Sequence, residues 1–494
     1  MNNDEYVFDD SLFTYVISDE AIGFFSKQVT FNVANKNIII NLTRNTDCFY
    51  AVKDSLKVGI IGFCVDGIKR AERSEIAQII VDNCNNINEV IEFSRYFAGK
   101  YAIIVEDLNG VFIFTDPTAQ LGVYYDTTKF MISSNEYLIG KLNNYSISES
   151  AKNIIKKRTD LFQPFPYDVT HFDNVKYLIP NHYLNIDTSE AKRIKLLYSE
   201  EEKSYTQEEI VDKSFEIINN IVTEYVKYYP EIICDLTSGY DSRLNFGFLL
   251  NNKVNFKTMT MKYSNSINDI DDVNIAEDIS NTFSIKHEVL EPVVVTDEIY
   301  NEVAMVYGDY FEKQALFSAY NMLANYGKNS VFVDGNIVNL CKSFLNRGLP
   351  DKYATVLYLR AKQHNFSKET KVNVKKHLKD IKSENNSGNI FDLYTIETRS
   401  SRWATNYSIW ADVLGIVKLN IYNCRYWLEL IMRLPYNYRA KNNLQIGYYK
   451  KLANGLLDFP INPHQKKSFI LRHPHAFLFA TYAKFYLTKM KGKY

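Results

Sequence analysis

A short apolar run that ends in a polar turn constrains this chain more than any other feature of its sequence. The run and the turn read Ile232-Ile233-Cys234-Asp235-Leu236-Thr237-Ser238-Gly239-Tyr240-Asp241-Ser242-Arg243. The apolar residues are typical of a buried parallel strand, and Leu244 and Phe248, four positions apart, indicate one face of a helix after the turn. A strand, a tight turn and a helix N-terminus together direct backbone N–H groups towards a phosphate. We therefore expect a phosphate-binding turn at the carboxyl end of a strand.

The side chains of this turn suit a nucleotide that binds together with a divalent cation. Gly239 allows a ligand to approach the backbone, and the hydroxyls of Thr237, Ser238 and Ser242 can donate to phosphate oxygens. Asp241 would repel a phosphate unless a cation lies between them, which predicts a role for it in binding Mg²⁺ and in catalysis. Taken alone, the same stretch also fits a purely structural turn that a serine caps.

The turn resembles the pyrophosphate-binding loop of the asparagine synthetase-like ATP pyrophosphatases, Ser-Gly-Gly-x-Asp-Ser, which here is Thr-Ser-Gly-Tyr-Asp-Ser (residues 237–242, the phosphate loop). The resemblance implies ATP and Mg²⁺ as cofactors and adds Tyr240 to the residues that bind the nucleotide. It also implies that backbone groups near Met261, at the end of the next strand, hold the adenine. No Gly-Lys-Ser/Thr follows, so this is not the other common phosphate loop.

The second loop of the family, Gly-x-Gly-x-Asp-Glu, is only partly retained. A strand at residues 330–334 leads into Gly335-Asn-Ile-Val-Asn339, which lacks the Asp-Glu pair. The resemblance leaves Gly335 as a residue that contacts the cofactor and Asp334 as a substitute metal ligand. It further implies a catalytic lysine from the C-terminal region, for which Lys466 and Lys467 are the candidates, although surface lysines are common.

Residues 1–198 are predicted to form a β-rich layered domain of the Ntn-hydrolase type. Short apolar runs alternate with turns, and Asn109-Gly110 indicates a hairpin between two of them. The segments that resemble the glutaminase-type domain of asparagine synthetases are Phe97 to Ala102, Asp116, Tyr124-Tyr125, Ser133-Ser134 and residues 172–187. In that domain the nucleophile is a cysteine directly after Met1. Here the position is Asn2 and the nearest cysteine is Cys48, so we expect no glutaminase activity.

Residues 199–494 are predicted to form the ATP-pyrophosphatase domain, which a charged linker at 199–204 introduces. A long helix at 206–228 precedes an alternation of strands and helices up to residue 290. This alternation predicts a doubly wound parallel sheet, whose ligands bind at the carboxyl ends of the strands. From about residue 350 the pattern is helical. The predicted fold class is therefore α/β, with a layered β-rich part followed by a parallel-sheet part and C-terminal helices.

Composition excludes several other classes of protein. A net charge of −1 gives no excess of positive charge with which to bind nucleic acid. Six cysteines without a Cys-x-x-Cys pair argue against a zinc site or a disulfide scaffold and for a reducing compartment. The polar N-terminus and the lack of a long uncharged apolar window predict neither a signal peptide nor a membrane span. We therefore expect a soluble cytoplasmic protein without a nucleic-acid or membrane partner.

Two hypotheses of different classes follow. The first is an ATP-dependent carbon–nitrogen ligase that adenylates a carboxylate and couples it to an amine or to ammonia, without glutaminase activity. Its relatives would be the β-lactam synthetases, the lasso-peptide cyclases and asparagine synthetase-like proteins of surface-polysaccharide gene clusters. The second is a catalytically degenerate nucleotide-binding or scaffolding protein of a polysaccharide or peptide pathway. A tRNA-thiolating pyrophosphatase is disfavoured, because paired cysteines and basic charge are lacking. The sequence identifies neither the carboxylate nor the amine, and it leaves a homodimer open.

Overall fold

The chain is a mixed α/β protein with two antiparallel sheets in its N-terminal part and one parallel sheet after them, which confirms the predicted fold class. The computed structural model describes residues 12–33, 36–157, 165–196, 198–308, 311–333, 335–363, 365, 367–383, 389–452, 455–464 and 473–490. Within these ranges, no helix is both long enough and apolar enough to cross a membrane.

Twelve described strands build the two antiparallel sheets. They are β1 (Tyr15–Ser18), β2 (Lys27–Val33), β3 (Lys36–Leu42), β4 (Cys48–Lys53), β5 (Leu56–Asp66), β6 (Phe97–Asp107), β7 (Gly110–Thr115), β8 (Tyr124–Asp126), β9 (Met131–Ser133), β10 (Val175–Tyr177), β11 (His182–Asn185) and β12 (Glu190–Arg193). The strand orders are β10-β8-β9-β1-β3-β2 and β12-β11-β7-β6-β5-β4. The hairpin predicted at Asn109-Gly110 is confirmed, because β6 and β7 pair as far as Asp107 opposite Gly110.

The two antiparallel sheets pack face to face, because alternate residues of their strands are apolar. Ile17 and Ile40 of the first sheet share a buried cluster with Ile61, Ile104 and Ile113 of the second. Helices cover the outer faces: α1 (Ile76–Asn83) and α2 (Ile87–Phe93) pack on the second sheet and α3 (Glu136–Leu142) on the first, while α4 (Glu149–Lys156) contacts the later helix at Lys368–Ser383. The N-terminal part is therefore layered as helices, sheet, sheet, helices.

The parallel sheet follows in the second part of the chain. Its strands are β13 (Ile232–Asp235), β14 (Phe256–Met261), β15 (His287–Leu290), β16 (Val331–Val333) and β17 (Val417–Leu419), in the order β15-β14-β13-β16-β17. Every neighbouring pair is parallel, which confirms the alternation predicted up to residue 290. The prediction that the chain is helical beyond residue 350 is wrong at β17. A strand of three residues is too short for hydrophobic periodicity to identify it.

Helices surround this sheet and form most of the C-terminal part. They are α5 (Glu200–Ser204), α6 (Gln207–Tyr228), α7 (Tyr240–Asn251), α8 (Ile267–Thr282), α9 (Asp297–Tyr307), α10 (Phe317–Tyr326), α11 (Val356–Lys362), α12 (Lys368–Ser383), α13 (Ile390–Thr395), α14 (Ala404–Val413), α15 (Arg425–Met432), α16 (Tyr436–Ala440), α17 (Asn443–Tyr449) and α18 (Pro474–Met490). Among the described residues, 3-10 helices span Ser94–Tyr96, Lys313–Leu316, Asn336–Lys342 and Asp351–Tyr353, and a π-helix spans Ile396–Trp403.

The segment predicted as a linker is instead a short helix that joins the two parts. Ser199 and Glu202 form a reciprocal capping box at the start of α5. Glu202 is buried and accepts a hydrogen bond from Arg95 NH2 at 3.1 Å, while Arg95 Nε donates to Glu429 at 2.7 Å. The charged composition of 199–204 therefore reflects a buried ion pair as well as solvent exposure. The boundary between 1–198 and 199–494 stays a prediction.

A second buried ionic contact joins β12 to the C-terminal helices. Arg193 donates to Glu397 on the π-helix at 2.6 Å and to Asp380 on α12 at 2.5 Å. His377 Nε2 lies 2.6 Å from the same Glu397 carboxylate. Burial alone would raise the pKa of Glu397, but the Arg193 guanidinium and His377 outweigh it and hold that pKa well below its usual range.

Candidate functional site

The phosphate loop lies where the strand order of the parallel sheet reverses. From β13 the chain moves outward to β14 and β15, then crosses to β16 on the other side of β13. The crevice between the carboxyl ends of β13 and β16 is thus a topological switch point, the usual ligand position in such sheets. Residues 237–242 follow β13 and Gly335 follows β16. A Cβ built on Gly335 would lie 4.0 Å from the Cβ of Asp241, so the two predicted loops are adjacent.

The loop is closed by its own hydroxyl groups. Thr237 and Ser242 share a hydrogen bond of 2.9 Å between their Oγ atoms, and the Thr237 N–H donates to Ser242 Oγ at 3.1 Å. The Gly239 N–H donates to Thr237 Oγ1 at 3.2 Å. Gly239 caps α7 with φ −80°, a value that any residue adopts. Its missing side chain therefore matters for the space above the loop and not for the turn conformation.

An acid from α8 occupies the loop position that the sequence assigns to phosphate. The Ser238 N–H donates to Asp272 Oδ1 at 2.8 Å, and Ser238 Oγ donates to the same oxygen at 2.5 Å. The Asp272 oxygen thus accepts two hydrogen bonds, one from a backbone N–H and one from a hydroxyl, that a bound phosphate oxygen would otherwise accept. A polyphosphate that binds Ser238 must therefore displace Asp272.

A buried arginine ties the loop to a C-terminal segment. The Arg243 side chain is fully buried and donates to the backbone oxygens of Ser238 at 3.1 Å, of Phe459 at 3.0 Å and of Pro460. The Asn462 N–H also donates to Ser238 O, at 3.2 Å. Residues 455–464 are thus fixed against the loop. The predicted catalytic residues Lys466 and Lys467 follow this segment but lie outside the described residues, so their role stays a prediction.

Asp241 points to two side chains that the sequence did not single out. Its Oδ2 lies 2.5 Å from Lys342 Nζ, at the end of the 3-10 helix that follows Gly335. Its Oδ1 accepts from Gln445 Nε2 on α17 at 2.8 Å. Both carboxylate oxygens therefore have partners. Asp334, the other predicted metal ligand, lies outside the described residues.

The described residues do not fit Mg²⁺. The ion favours octahedral coordination by oxygen, often from one or two carboxylates with water and substrate phosphates. The Asp241 carboxylate is already neutralised by an ammonium, and the Asp272 carboxylate binds Ser238. Across the described ranges, no group of three or more His, Cys, Asp or Glu side chains is placed to hold a metal ion.

Met261 lies at the same edge of the sheet as the loop. It is the last residue of β14 and pairs with Leu290 of β15. The neighbouring Thr260 donates from Oγ1 to the oxygen of Leu236 at 2.5 Å, directly before the loop. The structure thus brings together the loop, Gly335 and Met261, as predicted.

Three side chains of the site were missed by sequence reasoning. Asp272 belongs to the acidic run 269–272 at the start of α8, so its charge was visible although its direction was not. Lys342 follows Gly335 by seven residues, and only the 3-10 helix brings it back to Asp241. Gln445 has no recognisable signal, because its contact spans 204 positions of the chain.

The cysteines do not provide a reactive thiolate. Burial and the neighbouring Asp47 raise the pKa of Cys48 to about 12. Burial also raises the pKa of Cys84 to about 11 and of Cys424 to about 12, and it raises those of Cys64, Cys234 and Cys341. All six thiols are therefore protonated near neutral pH and are poor nucleophiles.

Comparisons with known proteins do not identify the family. No family model matches the chain, and no curated protein matches it. Three similar solved structures are glutamine-dependent NAD+ synthetase from Acinetobacter baumannii with ADP (13% identity, 49% of this chain, 63% of that chain, TM-score 0.21), NMN synthetase from Francisella tularensis (13%, 42%, 94%, 0.21) and glutamine PRPP amidotransferase from B. subtilis with ADP and GMP (10%, 68%, 71%, 0.23). The match thus spans less than two thirds of the first structure. TM-scores this low do not establish a shared family or function. The resemblance to asparagine synthetases therefore stays a prediction.

Proposed function

We propose that this chain is an ATP-dependent carbon–nitrogen ligase of the asparagine synthetase-like kind. It activates a carboxylate as an acyl-adenylate and transfers the acyl group to an amine or to ammonia. The observation that supports this most is the phosphate loop after β13, at the switch point of a parallel sheet and beside Gly335 of the second loop. In this position a triphosphate can reach the N-terminus of α7 while its adenine lies along the end of β14 near Met261.

Each loop residue has a part in the proposed binding. The N–H groups at the start of α7 and the hydroxyls of Ser238 and Ser242 donate to the pyrophosphate oxygens. Lys466 or Lys467, which follow the fixed segment 455–464, reach the α-phosphate. The resemblance implies Mg²⁺ as well, with Asp241 and Asp334 as ligands. Because the described residues do not fit that ion, no step is assigned to it.

The nitrogen donor is an amine or ammonia taken from solution, and glutamine is not hydrolysed. A glutaminase of this architecture needs a thiolate. Burial raises the pKa of all six thiols, so none of them supplies one at neutral pH. The N-terminal sheets therefore act as a structural support of the ligase.

The test is ATP binding by calorimetry, followed by ATP–pyrophosphate exchange with a panel of carboxylic acids. Gly239→Val places a branched side chain above the loop and is expected to weaken ATP binding by about tenfold or more. Gly23→Val is the matched control, because Gly23 is exposed and a Cβ there meets nothing within 4 Å. Equal losses in both variants, or none in either, would contradict ATP binding at this loop.

One observation favours the alternative, a degenerate nucleotide-binding or scaffolding protein. Asp272 already accepts the hydrogen bonds that the Ser238 N–H and hydroxyl donate, as expected if the loop no longer turns over nucleotide. The two functions differ in one result. A ligase catalyses exchange with at least one carboxylic acid, whereas a degenerate protein binds ATP without exchange.

A further inference from the structure

The Lys342–Asp241 ion pair is built into the second loop. The 3-10 helix Asn336–Lys342 ends at Ser343, which has the left-handed φ of 49° and donates from Oγ to Tyr436 O at 3.1 Å. Arg439 NH1 donates to the oxygen of Leu340 at 2.8 Å and is itself fully buried. These contacts fix the helix end, so the Lys342 side chain starts from a defined position beside Asp241.

Gln445 completes the arrangement from the opposite side of the carboxylate. Its Nε2 donates to Asp241 Oδ1 at 2.8 Å, while Lys342 lies against Oδ2 at 2.5 Å. Asp241 is therefore oriented by two groups on two different elements. An ammonium has three N–H donors, and the carboxylate accepts from one of them, so two remain for other acceptors.

The two loops carry a different set of charges from the pattern that the chain resembles. Asp241 is retained, the Asp-Glu pair of the second loop is missing, and a lysine follows that loop instead. Two carboxylates beside Asp241 would call for a divalent cation. The Lys342 ammonium beside Asp241 instead neutralises that carboxylate. The N–H groups of the ammonium that Asp241 does not use can then donate to a polyphosphate.

We propose that the Lys342 ammonium, held by Asp241 and Gln445, takes the place of a divalent cation, so that the phosphate loop binds pyrophosphate or the polyphosphate of a nucleotide without metal. This inference rests on the proposed function, because it concerns the same loop. Lys342 is a phosphate-binding residue here: its N–H groups donate to the phosphate oxygens, and its charge offsets part of theirs.

A purely structural ion pair would behave differently. The side chains of Lys342 and Asp241 keep 24% and 28% of their exposure, so the pair is accessible to a ligand. A structural pair predicts that its loss changes the midpoint of thermal unfolding and leaves pyrophosphate affinity unchanged. The proposed role predicts a loss of affinity in the absence of metal, with restoration by arginine.

The experiment is calorimetry of inorganic pyrophosphate and of ATP with the full chain, in EDTA and in Mg²⁺. The wild type is expected to bind in EDTA with an affinity within about threefold of that in Mg²⁺. Lys342→Met is expected to lose about 10- to 100-fold in EDTA, the value of a hydrogen bond to a charged group, and Lys342→Arg to lose much less. The control is Lys57→Met, which breaks a pair of similar exposure with Glu106 in the N-terminal sheets.

The outcomes separate this inference from the proposed function. Wild-type binding that requires Mg²⁺ would overturn the inference alone, and so would equal affinities of wild type and Lys342→Met in EDTA. No binding of either ligand under either condition would overturn both. Thermal melts of each variant establish that a lost affinity does not come from unfolding.

Discussion

The acid at the phosphate loop has the opposite charge to the one a phosphate site needs. Asp272 accepts from Ser238 N–H at 2.8 Å and from Ser238 Oγ at 2.5 Å, so it satisfies both donors of Ser238. In the bound state its carboxylate must leave or face the phosphate oxygens. If the loop binds phosphate as proposed, Asp272 is expected to weaken that binding.

Replacing Asp272 by asparagine is expected to raise the affinity for pyrophosphate. The amide keeps an acceptor for Ser238 but removes one negative charge, whose repulsion at a contact of several ångströms is about 1.4 kcal/mol, or roughly tenfold. Calorimetry measures the change. Asp278→Asn, further along α8 and exposed, is the control and should leave the affinity unchanged. Weaker binding by Asp272→Asn would show that the acid assists the ligand.

A second residue-scale prediction concerns glutamine. The purified chain should release no glutamate from glutamine at pH 7 to 8, with or without ATP, because burial and Asp47 raise the pKa of Cys48 to about 12 and burial protonates the remaining thiols. An enzymatic assay for glutamate measures the release. Loss of any observed release in a Cys48→Ala variant would show that this thiol is reactive despite its raised pKa.

Single residues of the site could be predicted from the sequence only where their position follows from the strand directly before them. The loop, Gly335 and Met261 each follow a strand, and parallel strands bring their carboxyl ends to one edge of the sheet. Asp272, Lys342 and Gln445 reach the loop from 34, 101 and 204 positions away. Such contacts depend on tertiary packing, which hydrophobic periodicity does not encode.

At the scale of elements, the position of α17 depends on close packing against α6. A Cβ at Gly447 would lie 2.8 Å from Cγ1 of Val211, closer than atoms in real structures approach. The same helix carries Gln445 and also Tyr448, whose hydroxyl donates to Ser214 Oγ on α6 at 2.7 Å. The distance between the two helices therefore determines how Gln445 meets Asp241.

We expect Gly447→Ala to destabilise the chain, although alanine is the better helix former. The gain in helix propensity is about 1 kcal/mol, whereas overpacking against a branched side chain costs about 1–3 kcal/mol. Urea unfolding measures the net loss, and calorimetry with pyrophosphate tests whether Gln445 moves. In the double variant Gly447→Ala, Val211→Ala the clash is removed. Its free energy of unfolding should exceed the sum of the single effects by about 1 kcal/mol. Simple additivity would contradict the close contact.

Elements were predicted best where they are long or bounded by clear signals. The helix α6 begins after Thr206, whose capping box with Glu209 is visible in the sequence, and its apolar face has helical spacing. The strand β17 and the π-helix Ile396–Trp403 were missed. The first is too short for periodicity, and the second departs from the helical repeat that periodicity assumes.

At the scale of the whole molecule, buried ion pairs connect the antiparallel sheets to the C-terminal helices. Glu397 contacts Arg193 and His377, and none of these three side chains is more than 3% exposed. Breaking such a pair from one side leaves a buried charge without its partner, which costs about 3–5 kcal/mol. These contacts therefore contribute to stability across the boundary predicted near residue 198.

Glu397→Gln should lower the free energy of unfolding by about 3–5 kcal/mol at pH 7. The pKa of Glu397 is depressed in the folded chain, so its contribution is complete above the unfolded pKa of about 4.3 and is lost as pH falls towards the folded value. The difference between variant and wild type should consequently shrink below about pH 4. Urea unfolding at a series of pH values measures it. Glu149→Gln, which breaks an exposed pair with Lys152, should change stability by less than about 0.5 kcal/mol.

Those same contacts make the second part of the chain depend on the first. Glu429, Glu397 and Asp412 belong to the C-terminal helices, and their cationic partners Arg95, Arg193 and Lys100 all come from the N-terminal part of the chain. A shortened gene that encoded only the later residues would produce a protein in which these three acids have lost their N-terminal cationic partners. Loss of the first part would therefore require simultaneous changes at several positions in the second. If the first part carries out no reaction, as we propose, this dependence is by itself a reason for it to be retained.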